Sequence, residues 1–210
     1  MQRIFLAVLV ASIGAVGTAN AQRPQPSHLP SRFYINGHSV LAGGTSVTPQ
    51  GWDQLKTSTG FGGGVQVGYM ITPRLSAYAG YEIAKQPVDM VGLDGDFGLT
   101  HLEAGAHLTF PMKHSRVTPY VGGWVGRRSL SSTLEDFDAG TSQEFSLSGL
   151  AAGVSGGIQY FLSPNLSLDG GLSLGVGKFG DVKIDHQTQV MPEISNSTTA
   201  RLQFGANWYP

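Results

Sequence analysis

The residues best equipped for chemistry form a small polar set in an otherwise weakly charged chain: Glu82, His101, Glu103, His107, Asp169 and Arg201, with the amides Gln66 and Gln203 at matching positions. An imidazole beside a carboxylate can relay protons, and a carboxylate facing a guanidinium can close a polar path. The functional reading is therefore a proton-sensitive gate or a track for polar solutes. The structural reading is a buried salt-bridge and hydrogen-bond network, because charges removed from water must be paired and Glu103 or Asp169 can pair with Arg201. The network reading leads. His101, Glu103 and His107 also have metal-ligand side chains. On a strand, however, positions six apart lie roughly 20 Å from each other, so the two histidines cannot share one ion. No metal and no cofactor is expected. The chain has no Cys, which removes thiolate metal sites and disulfides, and it has no Gly-rich phosphate loop.

The elements that must position this set alternate with a period of two. Leu102, Ala104, Ala106, Leu108 and Phe110 share one face of a segment whose other face is His101, Glu103, Gly105, His107 and Thr109. Leu202, Phe204, Ala206 and Trp208 likewise oppose Arg201, Gln203, Gly205 and Asn207. Eight such segments are expected, near 32–42, 60–71, 75–85, 99–111, 117–128, 148–162, 166–178 and 197–209. Gly122-Gly123 blurs which face Tyr120, Val121, Trp124 and Val125 occupy. Three connections are short, at 72–74, 112–116 and 163–165, and two of them repeat a Pro-containing turn, Thr-Pro-Arg-Leu-Ser and Ser-Pro-Asn-Leu-Ser. Four are long, near 43–59, 86–98, 129–147 and 179–196, and they hold many of the acidic residues.

The N-terminus reads as an address. Arg3, the apolar run Ile4 to Val16 and the small-x-small Ala19-Asn20-Ala21 form a secretory signal peptide over 1–21, and 22–31 is a Pro-rich periplasmic leader. The body, 32–210, is long enough for one domain. A net charge of −1 gives no basic footprint for nucleic acid. Only 13% of the residues are charged, about half the ~25% usual for a soluble domain.

That scarcity decides which face points out. A soluble barrel of lipocalin type would show its polar faces to water and need Lys and Glu there. These faces are mostly Gly, Ser, Thr and Gln, which suit the filled lumen of a narrow barrel. The apolar faces carry Tyr69, Tyr81, Phe110, Tyr120, Tyr160 and Trp208, several next to the tight turns, as an interfacial girdle would. No mature run approaches the ~20 apolar residues of a membrane helix. The fold expected is all-β: an eight-stranded antiparallel up-and-down transmembrane barrel.

Signal peptide, strand count, Pro-containing turns, the segment from Gly64-Val-Gln-Val-Gly-Tyr to Gly80-Tyr81, and the last strand from Ala200 to Pro210 resemble the small outer-membrane β-barrels of OmpA and OmpX type. The resemblance covers 32–210 and implies a bacterial outer-membrane location, with tight turns and both termini periplasmic and long loops extracellular. It implies outer-membrane lipid and lipopolysaccharide as surroundings, and assembly machinery that reads the last strand. Relatives usually end on an aromatic residue. Here Pro210 takes that place, so recognition falls to Trp208 or Tyr209. It also implies surface-interaction or envelope roles rather than catalysis. Alternatives are a narrow solute channel and a lipid A-modifying enzyme. The His-Ser pairs, His38-Ser39 and His114-Ser115, are poor nucleophile candidates: the first points to opposite faces and the second sits in a short turn. His186 lies in the last long loop, where nothing selects a partner serine. Loop candidates for surface contact are Trp52, Phe137 and the acidic stretch Glu135 to Asp138.

Overall fold

A computed structural model describes residues 31–43, 46–47, 55–56, 59–87, 96–113, 115–136, 141–184, 187–190 and 196–210. The expected signal peptide, nearly all of the leader, Trp52, Phe137 and His186 lie outside the described residues.

Eleven strands run in chain order: β1 (Phe33–Ala42), β2 (Ser46–Val47), β3 (Leu55–Lys56), β4 (Gly60–Met70), β5 (Leu75–Pro87), β6 (Asp96–Thr109), β7 (Val117–Asp136), β8 (Thr141–Ser163), β9 (Leu166–Ile184), β10 (Gln187–Val190) and β11 (Asn196–Trp208). Eight of them, β1, β4, β5, β6, β7, β8, β9 and β11, are antiparallel neighbours in sequence order, and β11 pairs with both β9 and β1. The sheet is therefore a closed barrel without a free edge in its wall. Its stagger follows from the pairs. Ala42 pairs with Arg201, and stepping partner by partner through Ser173, Ser155, Gly122, His107, Ser76 and Met70 leads back to β1 at Arg32, ten residues earlier. Stagger of that size tilts the strands and sets a bore just wide enough for side chains.

The two faces sort as composition required. Val65, Val67, Leu102, Val125, Val154, Leu174, Val176 and Phe204 are exposed on the outside, while Asn36, Gln66, Glu82, His101, Glu103, Ser173, Arg201 and Asn207 are buried inside. This arrangement reverses that of a lipocalin. Small inward residues make room for large ones. A Cβ on Gly153 would meet Trp124 Cζ2 at 2.5 Å, and one on Gly157 would meet Tyr120 Oη at 2.6 Å. Among the described glycines, Gly153, Gly157, Gly171 and Gly175 thus form the floor beneath two aromatic rings.

The strands on one side are longer than the alternation suggested. The stretch 129–147, expected to be a loop, is largely ladder: Ser129 to Asp136 pair with Thr141 to Ser148. Phe145 to Ser148 pair in turn with Asp181 to Ile184, and Gln187 to Val190 fold back on Asp181 to Ile184. Above the apolar wall a ribbon needs backbone hydrogen bonds but no apolar face, so the Ser- and Thr-rich sequence continues as strand without the period that reveals one. A register shift between Ser148 and Gly149 marks where wall becomes ribbon.

Candidate functional site

The lumen is the site, and Arg201 is its centre. It stands on β11, whose partners bring β1 and β9 alongside, and its guanidinium reaches across to β5 and β6. Arg201 Nη1 donates to Glu82 Oε2 at 2.5 Å and Nη2 donates to Glu103 Oε2 at 2.6 Å. Nη1 also meets His101 Nδ1, and Nη2 donates to Ser173 Oγ at 3.1 Å. Glu82 is held further by His38 Nε2 at 3.0 Å and by the Gln203 amide. One cation is therefore clamped between two carboxylates, and all three side chains are buried.

An indole seals this layer. Trp124 Nε1 donates to Ser173 Oγ at 2.8 Å, and the Arg201 guanidinium lies 4.8 Å from the ring centroid. A second guanidinium, Arg128, approaches the same ring at 5.5 Å and bonds Thr199 Oγ1. His101 packs edge-on to the indole at 5.0 Å.

Toward the tight turns lies a second layer, joined to the first through His38, whose Nδ1 is 2.7 Å from Asn36 Oδ1. Asp169 accepts from Tyr120 Oη at 3.2 Å, and His107 is sandwiched between Tyr78 and Tyr120 at 4.5 and 4.6 Å. Asn36 Nδ2 donates to Asn207 Oδ1 at 2.9 Å. The cavity enclosed by Tyr34, Gln66, His107, Tyr120, Gln159 and Asp169 measures about 10 Å³, the room of a single water. Below it Tyr34, Phe161 and Tyr209 close the mouth, with both rings 5.8 Å from Tyr209.

All eight sequence-selected polar residues, Gln66, Glu82, His101, Glu103, His107, Asp169, Arg201 and Gln203, line the lumen. They sit on two levels, which His38 links by meeting Glu82 with one ring nitrogen and Asn36 with the other. Arg201 pairs with Glu82 and Glu103, while Asp169 takes Tyr120 instead. His101 and His107 belong to different layers. Tyr120 corrects the girdle expectation: it points inward and is 5% exposed. Gly122 and Gly123 are one inward and one outward residue of an unbroken ladder, so Val121 and Val125 face out and Tyr120, Trp124 and Arg128 face in. Tyr81 does face out, but it pairs with Val65 and Leu102 well away from the tight turn. Tyr69, Phe110, Tyr160 and Trp208 are outward at the tight-turn end, joined by Phe33. Trp124, Arg128, His38 and Tyr78 were not among the selected residues. Carrying the parity of Val117 straight through the glycine pair would have placed the first two inside.

The sequence profile of the outer membrane protein β-barrel domain matches residues 6–206. The chain belongs to the outer-membrane β-barrel family. Solved barrels share its shape. Neisserial surface protein A is 21% identical, with 86% of this chain and 98% of that one covered and a TM-score of 0.58. A major outer membrane protein from Thermus thermophilus is 19% identical, with 85% and 98% covered and a TM-score of 0.52. OprG from Pseudomonas aeruginosa is 16% identical, with 86% and 96% covered and a TM-score of 0.51. At these identities the likeness is one of fold. No curated protein sequence matches the chain. As a member of the family, this outer-membrane β-barrel crosses lipid with its strands, which satisfies every backbone group internally.

Proposed function

We propose that this outer-membrane barrel neither conducts nor catalyses, and acts through the long connections at one end and through its presence in the envelope. The carrying observation is the layer of Arg201, Glu82 and Glu103, which spans the bore with a salt-bridged, indole-sealed plug. A charge pair of this kind holds its geometry because breaking it strands a buried ion. A hydrated solute has no path past it while it stands. The tight turns and both termini face the periplasm and the long connections face outward in this reading. That leaves the β7–β8–β9 ribbon as the most protruding of the described elements. Outer-membrane lipid and lipopolysaccharide surround the wall, and the last strand, with Trp208 outward and 52% exposed, is the edge offered to assembly machinery.

Liposome swelling tests the reading. Vesicles carrying the folded mature chain, diluted into isotonic small sugars, should swell no faster than empty vesicles. Swelling rates that fall with sugar size would establish a channel and sink the proposal.

A further inference from the structure

The ionic side chains separate along the barrel axis. Of the 14 acidic residues, Glu82, Glu103 and Asp169 line the lumen, and the others all fall in the four long connections. None falls in the three tight turns or in residues 22–31, which lead into β1. Cations do stand at that end: Arg32 just before β1, Arg74 between β4 and β5, and Lys113 and Arg116 between β6 and β7.

These four stand close together. Eight strands about 4.8 Å apart and tilted by about 40° enclose an end roughly 16 Å across. The carbonyls of Arg32, Arg74 and Arg116 accept from Met70 N, Thr109 N and Phe161 N. The cations therefore occupy one arc of the rim, from β1 through β4, β5 and β6 to β7. The rest of the rim, Ser163-Pro164-Asn165 and the end of β11, carries no ionic side chain. Arg32, Arg74 and Lys113 are exposed and Arg116 is half-buried. Among the described residues no hydrogen bond or ion pair engages any of the four side chains.

Their depth is set by the outward rings at the same end. Phe33 follows Arg32, and Phe110 precedes Lys113 by three residues. Tyr160 pairs with Val117 beside Arg116, and Tyr69 pairs with Ala77, three residues after Arg74. Such rings mark the boundary of the apolar wall. Long basic side chains just past it carry their charge to the level of lipid headgroups. Like charges gathered there repel one another until anions lie between them.

We propose that the tight-turn end binds anionic glycerophospholipid, with phosphate diesters held by Arg32, Arg74, Lys113 and Arg116 and acyl chains on the wall behind Phe33, Tyr69, Phe110 and Tyr160. A zwitterionic headgroup brings its own ammonium group and gains less from the same cations. The girdle beside every cation favours lipid over a soluble anionic polymer. Which leaflet supplies the lipid rests on the orientation proposed above; the preference for anionic lipid does not.

The test is native mass spectrometry of the folded mature chain in detergent micelles, titrated with phosphatidylglycerol and with phosphatidylcholine of the same acyl chains. The unboiled gel position confirms folding of each variant. The unaltered chain should bind phosphatidylglycerol severalfold more tightly than phosphatidylcholine. Arg32→Gln/Arg74→Gln/Lys113→Gln/Arg116→Gln should bind phosphatidylglycerol about tenfold more weakly, with phosphatidylcholine unchanged. Arg74→Gln/Lys113→Gln should lose about threefold, which reads the site if the fourfold variant does not fold. Lys56→Gln/Lys85→Gln/Lys178→Gln/Lys183→Gln removes as many cations from the opposite end and should lose less than about twofold. Equal binding of the two lipids by the unaltered chain, unchanged binding in the tight-turn variants, or an equal loss in the opposite-end variant would overturn the site. Sedimentation of the unaltered chain with peptidoglycan, lost in the tight-turn variants and without any lipid preference, would assign these cations to a wall polymer instead. Micelles have no leaflets, so this result stands or falls separately from the orientation.

Discussion

Arg201 and Glu82 lie 119 residues apart in sequence and 2.5 Å apart in the lumen. The contact crosses the bore from the last strand to β5, so it can form only when the barrel has closed. It links the local pattern of alternating residues to the global event of closure, and it gives the polar face a purpose other than a water channel.

Removing the arginine should therefore cost far more than a surface ion pair. Arg201→Met leaves Glu82 and Glu103 buried without their shared cation, a loss on the order of 3–5 kcal/mol. The midpoint of urea unfolding in micelles, read by the mobility difference between unboiled and boiled samples, should fall accordingly. Arg74→Met at an exposed turn should leave the midpoint within about 0.5 kcal/mol.

The glycines of the lumen make a paired prediction. A side chain on Gly175 would run into the Trp124 ring, whereas a Cβ on Gly170 meets Phe204 at an ordinary 3.7 Å. Gly175→Val should destabilise by about 1–3 kcal/mol or block folding, as overpacking does. Gly170→Ala should fold with an unchanged midpoint in the same gel assay.

Two tryptophans report the two faces. In chains where Trp52 and one other tryptophan are replaced by Phe, Trp208 should be quenched strongly by lipids brominated near the headgroup, because it is exposed on the wall. Trp124, 3% exposed in the lumen, should be quenched little by bromine at any depth. Comparable quenching of both would mean that β7 is flipped.

The absence of cysteine allows a clean orientation test. Ser131→Cys, on the β7 ribbon, should react with a membrane-impermeant maleimide on intact cells, and Pro164→Cys, in the turn between β8 and β9, should react only after lysis. The reverse pattern would put the long connections in the periplasm.

Much of this was legible in the chain. The clean alternation of 99–110 and 201–208, together with too few charges for a soluble surface, is sufficient to turn the apolar faces outward and His101, Glu103 and Arg201 inward. Three things were hidden. Tyr120 and Trp124 sit beside a glycine pair that looks like a break, because residues without side chains carry no parity signal. The ribbon of Ser129 to Ser148 looks like a loop because strands outside the wall have no apolar face to keep. Which carboxylate meets Arg201 was hidden for another reason: Asp169 and Glu103 both face the lumen, and only the stagger of the strands puts Glu103 on the level of the arginine and Asp169 on that of Tyr120.

The central claim is that the Arg201 layer and the aromatic layers below it close the bore, and single-channel recording in a planar bilayer tests it most directly. The folded unaltered chain should give no current steps at either polarity. A Glu82→Ala/Glu103→Ala/Arg201→Ala variant that still folds should stay silent too, because the Tyr78–His107–Tyr120 stack and the Tyr34–Phe161–Tyr209 cluster still fill the bore below. Steady steps from the unaltered chain would contradict the account, since a polar path would then run past Arg201 as it stands.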